Sequence, residues 1–396
     1  MVAHILDLLK YAFIYLAVLL YFGMIVSISY TPYLKHDPHN TYKNLLDIPA
    51  DIRFRTVLKR DQERNEMILG YKLNYLSMPE GICSRENEDD GMLLVLLVHS
   101  AVGNRAQRDA IRNTWARSIR QFQDIRIILV FLVGVDQNNR LMTNVLDEGT
   151  VYQDLVILGM MDTYRNLSLK SMAGLHWVNT FCGETRFTLK LDDDVYINLP
   201  LIVTMLNKQN ISDISSYDEK NSHNIENTLN DGLSNMDMEL SSVVGHGLVG
   251  YVNRKSRVMR HGLWGLEYQQ HPEEFYPDYC SGNMYLMNTS AVKLLVKAHY
   301  LYSNLNRTCS HDIDAMSTLG QIRFVPFEDV FITGYLAHNI GLTCFHHSGF
   351  PHWSVGINRA NIKKLIKGQL LGLHNVYYQK MYNLHEMISE KRKKYF

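Results

Sequence analysis

Four short apolar runs alternate with stretches of helical spacing in the first half of the chain. The runs are Met92–His99, Ile125–Val133, Leu155–Leu158 and Phe187–Leu191. A continuous apolar run of this length is typical of a strand that is buried on both faces. The stretches between the runs predict helices over about 105–115, 137–148 and 166–181. This alternation predicts an α/β fold with a mostly parallel sheet, helices on both faces and ligands beyond the carboxyl ends of the strands.

A longer apolar stretch lies near the N-terminus, where no residue between Tyr11 and Leu34 is charged. About 20 helical residues cross the core of a bilayer, so residues 11–31 predict a single transmembrane helix. The flanking charges do not set its orientation, and the simpler topology has a cytoplasmic tail of residues 1–10 and a lumenal remainder. A cleaved signal peptide is the alternative, because Ser27-Ile28-Ser29 has the small-x-small pattern of a cleavage site.

Three polar segments interrupt or end the apolar pattern. Residues 32–90 are polar and mixed, and they predict a stem. Residues 207–242 are rich in Asn, Ser, Asp and Glu, and they predict a surface insertion. Residues 386–396 contain the run Lys391-Arg-Lys-Lys394 and predict a solvated basic tail.

The overall charge excludes one class of partner, because Lys plus Arg and Asp plus Glu both number 40. A chain without net charge gives no sign of binding nucleic acid. Five cysteines without CxxC spacing can form two disulfides in an oxidising compartment and leave one thiol, with the pairing open. N-glycosylation sequons, which also fit a lumenal location, begin at Asn166, Asn210, Asn288 and Asn306.

Three consecutive carboxylates, Asp192-Asp193-Asp194, directly follow the fourth apolar run. Like charges this close repel one another, so a fold keeps them together where a cation compensates. Carboxylate oxygens suit Mn²⁺ or Mg²⁺, and these ions in turn bind diphosphate oxygens. The alternative at this point is a solvated acidic turn or a helix cap.

Five segments in a fixed order carry a family resemblance. They are Arg108–Trp115, Asp162–Lys170, Phe187–Asn198, Tyr276–Gly282 and Phe327–Val330. The chain resembles the β1,3-galactosyltransferase family, glycosyltransferase family 31, over about Gly91 to Cys344. The resemblance implies a GT-A type, Rossmann-like fold, a UDP-sugar donor, Mn²⁺ or alternatively Mg²⁺ as cofactor, and inversion at the anomeric carbon. It also implies a nucleotide-sugar-binding half over residues 91–206 and an acceptor-binding half over residues 243–385.

The same resemblance assigns roles to individual residues. It implies that Asp194 and Asp192 ligate the metal, and that Asp329 is the general base with Glu328 beside it in the catalytic set. The implied donor-binding residues are Asp193, Arg108, Arg112, Asp162 and Lys170.

Alternatives to these roles remain open on the residues alone. The two arginines can equally pair with acids that brace their helix, and Asp329 can be an acid that complements a helix N-terminus. His346 and His347 are further candidates for metal ligands.

Together these features predict a glycosyltransferase of the Golgi membrane, single-pass and type II, with its catalytic part in the lumen. It would transfer Gal, or alternatively GlcNAc or GalNAc, in β1,3 linkage to a glycan on a protein or a lipid. One alternative is a non-catalytic lumenal binding protein or chaperone on the same fold, which would be expected to lose the carboxylates. Another is a metal-dependent phosphohydrolase, which would need further His or Asp ligands near the strand ends.

Overall fold

The structure is a computed structural model that describes residues 67–68, 71–72, 74–84, 92–122, 125–214, 247–305 and 324–395. The predicted cytoplasmic tail and the transmembrane helix at residues 11–31 lie outside these ranges. Within the described ranges no helix is long and apolar enough to cross a bilayer.

Four parallel strands form the centre of the fold, and they are the four that the apolar runs predict. They are β4 (Met92–His99), β5 (Arg126–Val135), β6 (Leu155–Met161) and β7 (Phe187–Asp192). Their order in the sheet is β6-β5-β4-β7, so β4 has β5 on one side and β7 on the other. The direction of winding therefore reverses between β4 and β7, and ligands of open α/β sheets bind beyond the carboxyl ends at such a reversal. His99 and Asp192 are register partners there.

Four further strands extend the sheet to the order β11-β9-β10-β7-β4-β5-β6-β3. β10 (Tyr279–Asn288) is antiparallel to β7 and to β9 (Leu248–Asn253), while β11 (Phe345–His346) is parallel to β9. At the other edge β3 (Tyr75–Ser77) is antiparallel to β6. The predicted mixed α/β fold with a parallel-rich sheet is confirmed, but the predicted stem of residues 32–90 includes a strand of this sheet.

Two small ribbons lie outside the main sheet. One pairs β1 (Met67–Ile68) with β2 (Tyr71–Lys72), and the other pairs β8 (Tyr196–Ile197) with β12 (Gly372–Leu373), both antiparallel. The second ribbon matters for the site, because it joins the chain just after the three aspartates to a segment near the C-terminus.

Helices cover both faces of the sheet, as predicted, and each face has its own buried apolar cluster. One face carries α1 (Arg105–Asn113), a 3₁₀ helix (Trp115–Gln121), α2 (Asn139–Tyr152), α4 (Leu199–Ile214), α7 (Arg359–Ile366) and α8 (Tyr378–Tyr395). The other carries α3 (Leu167–Phe181), α5 (Thr289–Leu305), a π-helix (Val330–Leu336) and α6 (Ala337–Asn339). A buried Leu, Ile, Val or Phe side chain stabilises the fold by about 1.5–3 kcal/mol. Because each cluster contains many such side chains, the two clusters hold the sheet, and with it the edge that carries the site, in place.

Two predicted segment boundaries differ from the structure. α4 continues to Ile214, past the predicted start of the insertion at Asn207, because its apolar face stays buried through Leu206. The predicted basic tail is the C-terminal end of α8, a helix that buries Met381, Leu384 and Ile388 in the core.

Two disulfides, the number that five cysteines allow, tie peripheral segments to the sheet. Cys83 is bonded to Cys182 and Cys280 is bonded to Cys344. The first links the segment after β3 to the end of α3, and the second links β10 to the residue before β11. The fifth cysteine, Cys309, lies outside the described residues.

Candidate functional site

The three aspartates lie at the carboxyl edge of the sheet, where the winding reverses. β7 ends at Asp192, and the chain then turns, with the backbone N–H of Asp193 donating to the His99 carbonyl at 3.0 Å. The Asp193 carboxylate accepts a hydrogen bond from Asn104 Nδ2 at 3.0 Å. Burial raises the pKa of Asp193, while hydrogen bonds from Asn104 and Ser100 act in the opposite direction. Asp193 is thus held by the loop between β4 and α1.

Asp194 faces a histidine from the far end of the chain. Its Oδ2 lies 3.4 Å from His374 Nε2, and its backbone carbonyl accepts from the Val376 N–H at 2.8 Å. The β8–β12 ribbon creates this contact, because Leu373 pairs with Tyr196 and so carries His374 to the aspartates. Burial, followed by the charges of Asp192 and Asp193, raises the pKa of Asp194 to about 7.

The Asp194–His374 pair can hold a divalent cation. No preformed group of three or more His, Cys, Asp or Glu ligands occurs among the residues that the structure describes. One carboxylate and one imidazole would therefore need ligand oxygens to complete the coordination, and a nucleoside diphosphate supplies them. Burial is the main cause of the raised pKa of Asp194, and the charges of Asp192 and Asp193, which a bound cation would offset, come second.

His374 is a functional candidate that the sequence did not reveal. It lies in no recognisable spacing with the aspartates, and only the ribbon register brings it close. The two histidines that the sequence named as further candidates each bind a backbone N–H group of the fold. His346 Nδ1 accepts from the Val252 N–H at 3.1 Å, and buried His347 accepts through Nδ1 from the Gly349 N–H at 3.0 Å.

Lys190 connects the aspartates to a second pair of carboxylates. Its ammonium group, only 2% exposed, donates to Asp192 Oδ1 and Glu328 Oε1 at 2.8 Å each, and to the Gly282 carbonyl. Burial alone would lower the pKa of Lys190, but Asp192 and Glu328 raise it above its usual value. The charged lysine therefore fixes the distance between the aspartate turn and the segment that carries Glu328.

Glu328 and Asp329 differ sharply in their surroundings. Glu328 is 5% exposed, and its second oxygen accepts from the hydroxyls of Ser171 at 3.2 Å and Tyr285 at 3.0 Å. Partly exposed Asp329 stands at the N-terminus of the π-helix and accepts from the N–H groups of Val330 at 2.9 Å and Gly282 at 3.1 Å. Both oxygens of each carboxylate accept hydrogen bonds, but Glu328 is buried against the Lys190 ammonium whereas Asp329 is partly exposed and accepts only from backbone N–H groups. This difference in exposure favours Asp329 over Glu328 as the base.

Gly282 lets the backbone of β10 lie against the Glu328 and Asp329 carboxylates, and burial raises the pKa of Asp329. A Cβ atom at Gly282 would lie 3.0 Å from Glu328 Oε1 and 3.1 Å from Asp329 Oδ2. Burial and then the charge of Glu328 raise the pKa of Asp329 to about 7. A carboxyl with a pKa near neutrality is well suited to accept a proton during catalysis.

Both predicted donor-binding arginines are occupied by acids inside the fold. Arg108 is completely buried and donates all its N–H groups, two of them to Glu148 at 2.7 and 2.8 Å and the rest to the Ser100–Val102 loop. Arg112 binds Asp154, Asp109 and Glu148. The structure therefore favours the alternative in which both arginines pair with acids that brace their helix. Glu148 and Asp154 lie about 40 residues further along the chain, so the spacing of residues around the arginines does not reveal these partners.

The two other predicted donor residues pair with each other at the site edge. Lys170 Nζ lies 2.8 and 2.9 Å from the Asp162 oxygens and 2.8 Å from the Ser100 carbonyl. Asp162 also accepts from the Gly134 N–H at 3.0 Å. The pair joins the carboxyl ends of β4, β5 and β6, and its role in donor binding stays a prediction.

The sequons lie in contrasting places, and their glycosylation stays a prediction. Asn166 Nδ2, the atom that a glycan would modify, donates to the Met161 carbonyl at 2.9 Å. Asn288 ends β10 and accepts from the Ala291 N–H at 2.8 Å, while Asn210 lies within α4. Asn306 lies outside the described residues.

Comparisons with known proteins identify galactosyltransferases as relatives of this chain. The family model described as galactosyltransferase matches residues 106–307. "Beta-1,3-galactosyltransferase 4" of Mus musculus is 30% identical over 293 residues, which cover 70% of each chain. "Beta-1,3-galactosyltransferase 1" of Homo sapiens is 24% identical over 299 residues, which cover 76% of this chain and 74% of that protein. Among solved structures, the bifunctional glycosyltransferase WbbM covers 78% of this chain and 53% of its own at 8% identity, and its TM-score of 0.35 is too low to carry an argument.

Proposed function

This chain belongs to the galactosyltransferase family and is a hexosyltransferase, and we propose that it transfers a sugar from a UDP donor in β1,3 linkage with inversion. The observation that carries the proposal is the meeting of two groups at one sheet edge. Asp194 and His374 form one group, partly exposed Asp329 provides the other, and Lys190 connects the two sides. Inverting transfer needs a base for the acceptor hydroxyl, and a cation at the other group can offset the charge that develops on the leaving diphosphate.

Asp329 would remove the proton from the acceptor hydroxyl as that oxygen attacks C1 of the donor sugar. The new bond from C1 to the acceptor oxygen forms while the bond from C1 to the phosphate oxygen breaks, so UDP departs and the proton remains on Asp329. Attack opposite the leaving group converts an α-linked donor into a β-linked product. General-base catalysis of this kind contributes about 10²–10⁴-fold to the rate.

Asp194 and His374 would hold the Mn²⁺ or Mg²⁺ ion, with Asp192 beside them. The ion, when bound, supplies positive charge against the charge that develops on the UDP leaving group. Asp193 and the loop after β4 would receive the nucleoside, since they lie at the reversal of winding where such ligands bind. Lys190 and Glu328 keep the two halves of the site in register.

We further infer galactose as the transferred sugar, with GlcNAc and GalNAc as the alternatives, and a glycan on a protein or lipid as acceptor. The names of the relatives support galactose. The two disulfides and the uncharged residues 11–31 support a Golgi location as a type II membrane protein with a lumenal catalytic part.

The test is UDP release by the full chain in detergent with UDP-Gal, UDP-GlcNAc or UDP-GalNAc and a panel of β-linked acceptors. The proposal predicts turnover of UDP-Gal that requires Mn²⁺, stops with EDTA and is lost in Asp194→Ala. Turnover of another of the three donors would keep the mechanism and change the sugar. A folded protein that binds UDP but turns over none of them would support the non-catalytic binding protein instead.

A further inference from the structure

An exposed tryptophan belongs to a segment that is joined to the strand ends and to the segment of Asp329, and the mechanism above does not use it. Trp264 is 50% exposed, yet its indole N–H donates to the hydroxyl of Tyr164 at 2.5 Å. Tyr164, itself 41% exposed, begins the short 3₁₀ turn that follows the carboxyl end of β6. A large aromatic surface in water is therefore fixed in orientation at the same edge of the sheet as the site.

The tryptophan segment is tied to the strand ends and to the base. Arg165 donates to the carbonyls of Leu263 at 3.2 Å and Gly265 at 3.3 Å, the two neighbours of Trp264. The same guanidinium lies 5.5 Å from the centre of the Phe327 ring, two residues before Asp329. One arginine thus joins the backbone on both sides of Trp264 to the segment that carries the base.

The charges of the carboxylates act on the phenol that holds the indole. Burial raises the pKa of Tyr164, and the charges of Asp329, Asp192 and Glu328 add to the increase. Burial likewise raises the pKa of Tyr279, with Asp329 as the next cause. These shifts agree with the contacts of Arg165, which join the Trp264 segment to the segment that carries Asp329.

We propose that Trp264, oriented by Tyr164, is the platform on which the acceptor sugar stacks while its hydroxyl is directed at Asp329. The face of an aromatic ring carries negative charge density and attracts the C–H bonds on one face of a pyranose. The class of acceptor is accordingly a terminal hexopyranose with an apolar C–H face, such as a β-linked galactose or N-acetylglucosamine. The inference rests on the proposed function and deepens it.

The contacts of Trp264 distinguish it from other exposed aromatic side chains of the same segment. Tyr268, in the same segment, is 69% exposed, but it stacks on Arg260 at 3.8 Å, and no contact with Tyr164 joins it to the base among the described residues. Single exposed apolar side chains are common on protein surfaces and need no explanation. Trp264 differs because its indole N–H is bonded to Tyr164 and because Arg165 joins its two neighbours to the segment that carries Asp329.

The experiment compares Trp264→Ala and Trp264→Leu with wild type, and uses Tyr268→Ala as a matched control. Initial rates at saturating donor and Mn²⁺ give kcat and the acceptor KM for β-linked galactosides and N-acetylglucosaminides. UDP release without acceptor gives the hydrolysis rate, and calorimetry gives UDP affinity. Loss of the stacking surface should raise the acceptor KM by about tenfold or more in both variants. Hydrolysis and UDP affinity should stay within about twofold of wild type, because the donor side is intact.

The outcomes separate this inference from the proposed function. An active wild type with an unchanged acceptor KM in Trp264→Leu would overturn the platform and leave the transferase intact. An equal rise in Tyr268→Ala would also overturn it, since the effect would then belong to the whole segment. Loss of UDP binding in a folded Trp264→Leu would assign the tryptophan to the donor side. A wild type that releases no UDP from any donor would defeat the proposed function and the inference together.

Discussion

Among single residues, Asp329 and Glu328 show how neighbouring carboxylates acquire different tasks. Glu328 is enclosed by Lys190, Ser171 and Tyr285, so its charge is committed to the interior. Asp329 accepts only two backbone N–H groups and remains partly exposed at a helix N-terminus. The family resemblance assigns the base role to Asp329, but the residues alone do not show the physical difference, because it comes from contacts with residues far away along the chain.

The raised pKa of Asp329 predicts the shape of the pH–rate profile. A base must be deprotonated, so activity present above its pKa is lost as the pH falls through it. Because the pKa of Asp329 is raised to about 7, kcat/KM should fall by about tenfold per pH unit below that value and level off above it.

The profile should be recorded at saturating Mn²⁺, so that protonation of Asp194 does not contribute. UDP affinity and folding measured at each pH serve as controls. A single acid limb near pH 4, the range of an ordinary carboxyl, would contradict the assignment of Asp329 as a base with a raised pKa.

Among the secondary-structure elements, the β8–β12 ribbon has the largest effect on the site. Two residues of each strand pair, and this short register places His374 against Asp194. The four central strands were predictable from sequence because each is a short, mostly apolar run that alternates with a stretch of helical spacing. β3 was not, since a short edge strand within a polar segment has no such pattern. The position of His374 was not predictable either, because only the pairing of β8 with β12 brings this histidine close to Asp194.

We expect His374→Ala to weaken Mn²⁺ binding. Removing one of the two proposed protein ligands should raise the Mn²⁺ concentration for half-saturation, measured in the presence of UDP, by at least about tenfold. Electron paramagnetic resonance of free Mn²⁺ measures binding directly and does not depend on turnover.

His346→Ala is the matched control, because the sequence also named His346 as a candidate metal ligand and its ring accepts a hydrogen bond from the Val252 backbone. The control should bind Mn²⁺ like wild type. A larger effect in His346→Ala than in His374→Ala would place the metal at β11 and contradict the ribbon account.

At the scale of the whole molecule, the doubly wound sheet brings distant segments to one edge. The aspartate turn, the Asp162–Lys170 pair and the Glu328–Asp329 pair come from different parts of the chain and meet around the carboxyl ends of β4 to β7. Alternation of apolar runs and helices sufficed to predict that edge. The same alternation could not predict the pairing of Arg108 with Glu148, because a buried ion pair between two helices leaves no periodic signal in the sequence.

The most direct test of the central claim is a comparison of UDP binding and turnover in Asp329→Asn. The account predicts that the variant folds, binds UDP with Mn²⁺ within about twofold of wild type, and loses about 10²–10⁴-fold in kcat, because only the proton acceptor is removed. A variant that keeps UDP binding and also retains most of its turnover would contradict the account, since the base would then lie elsewhere.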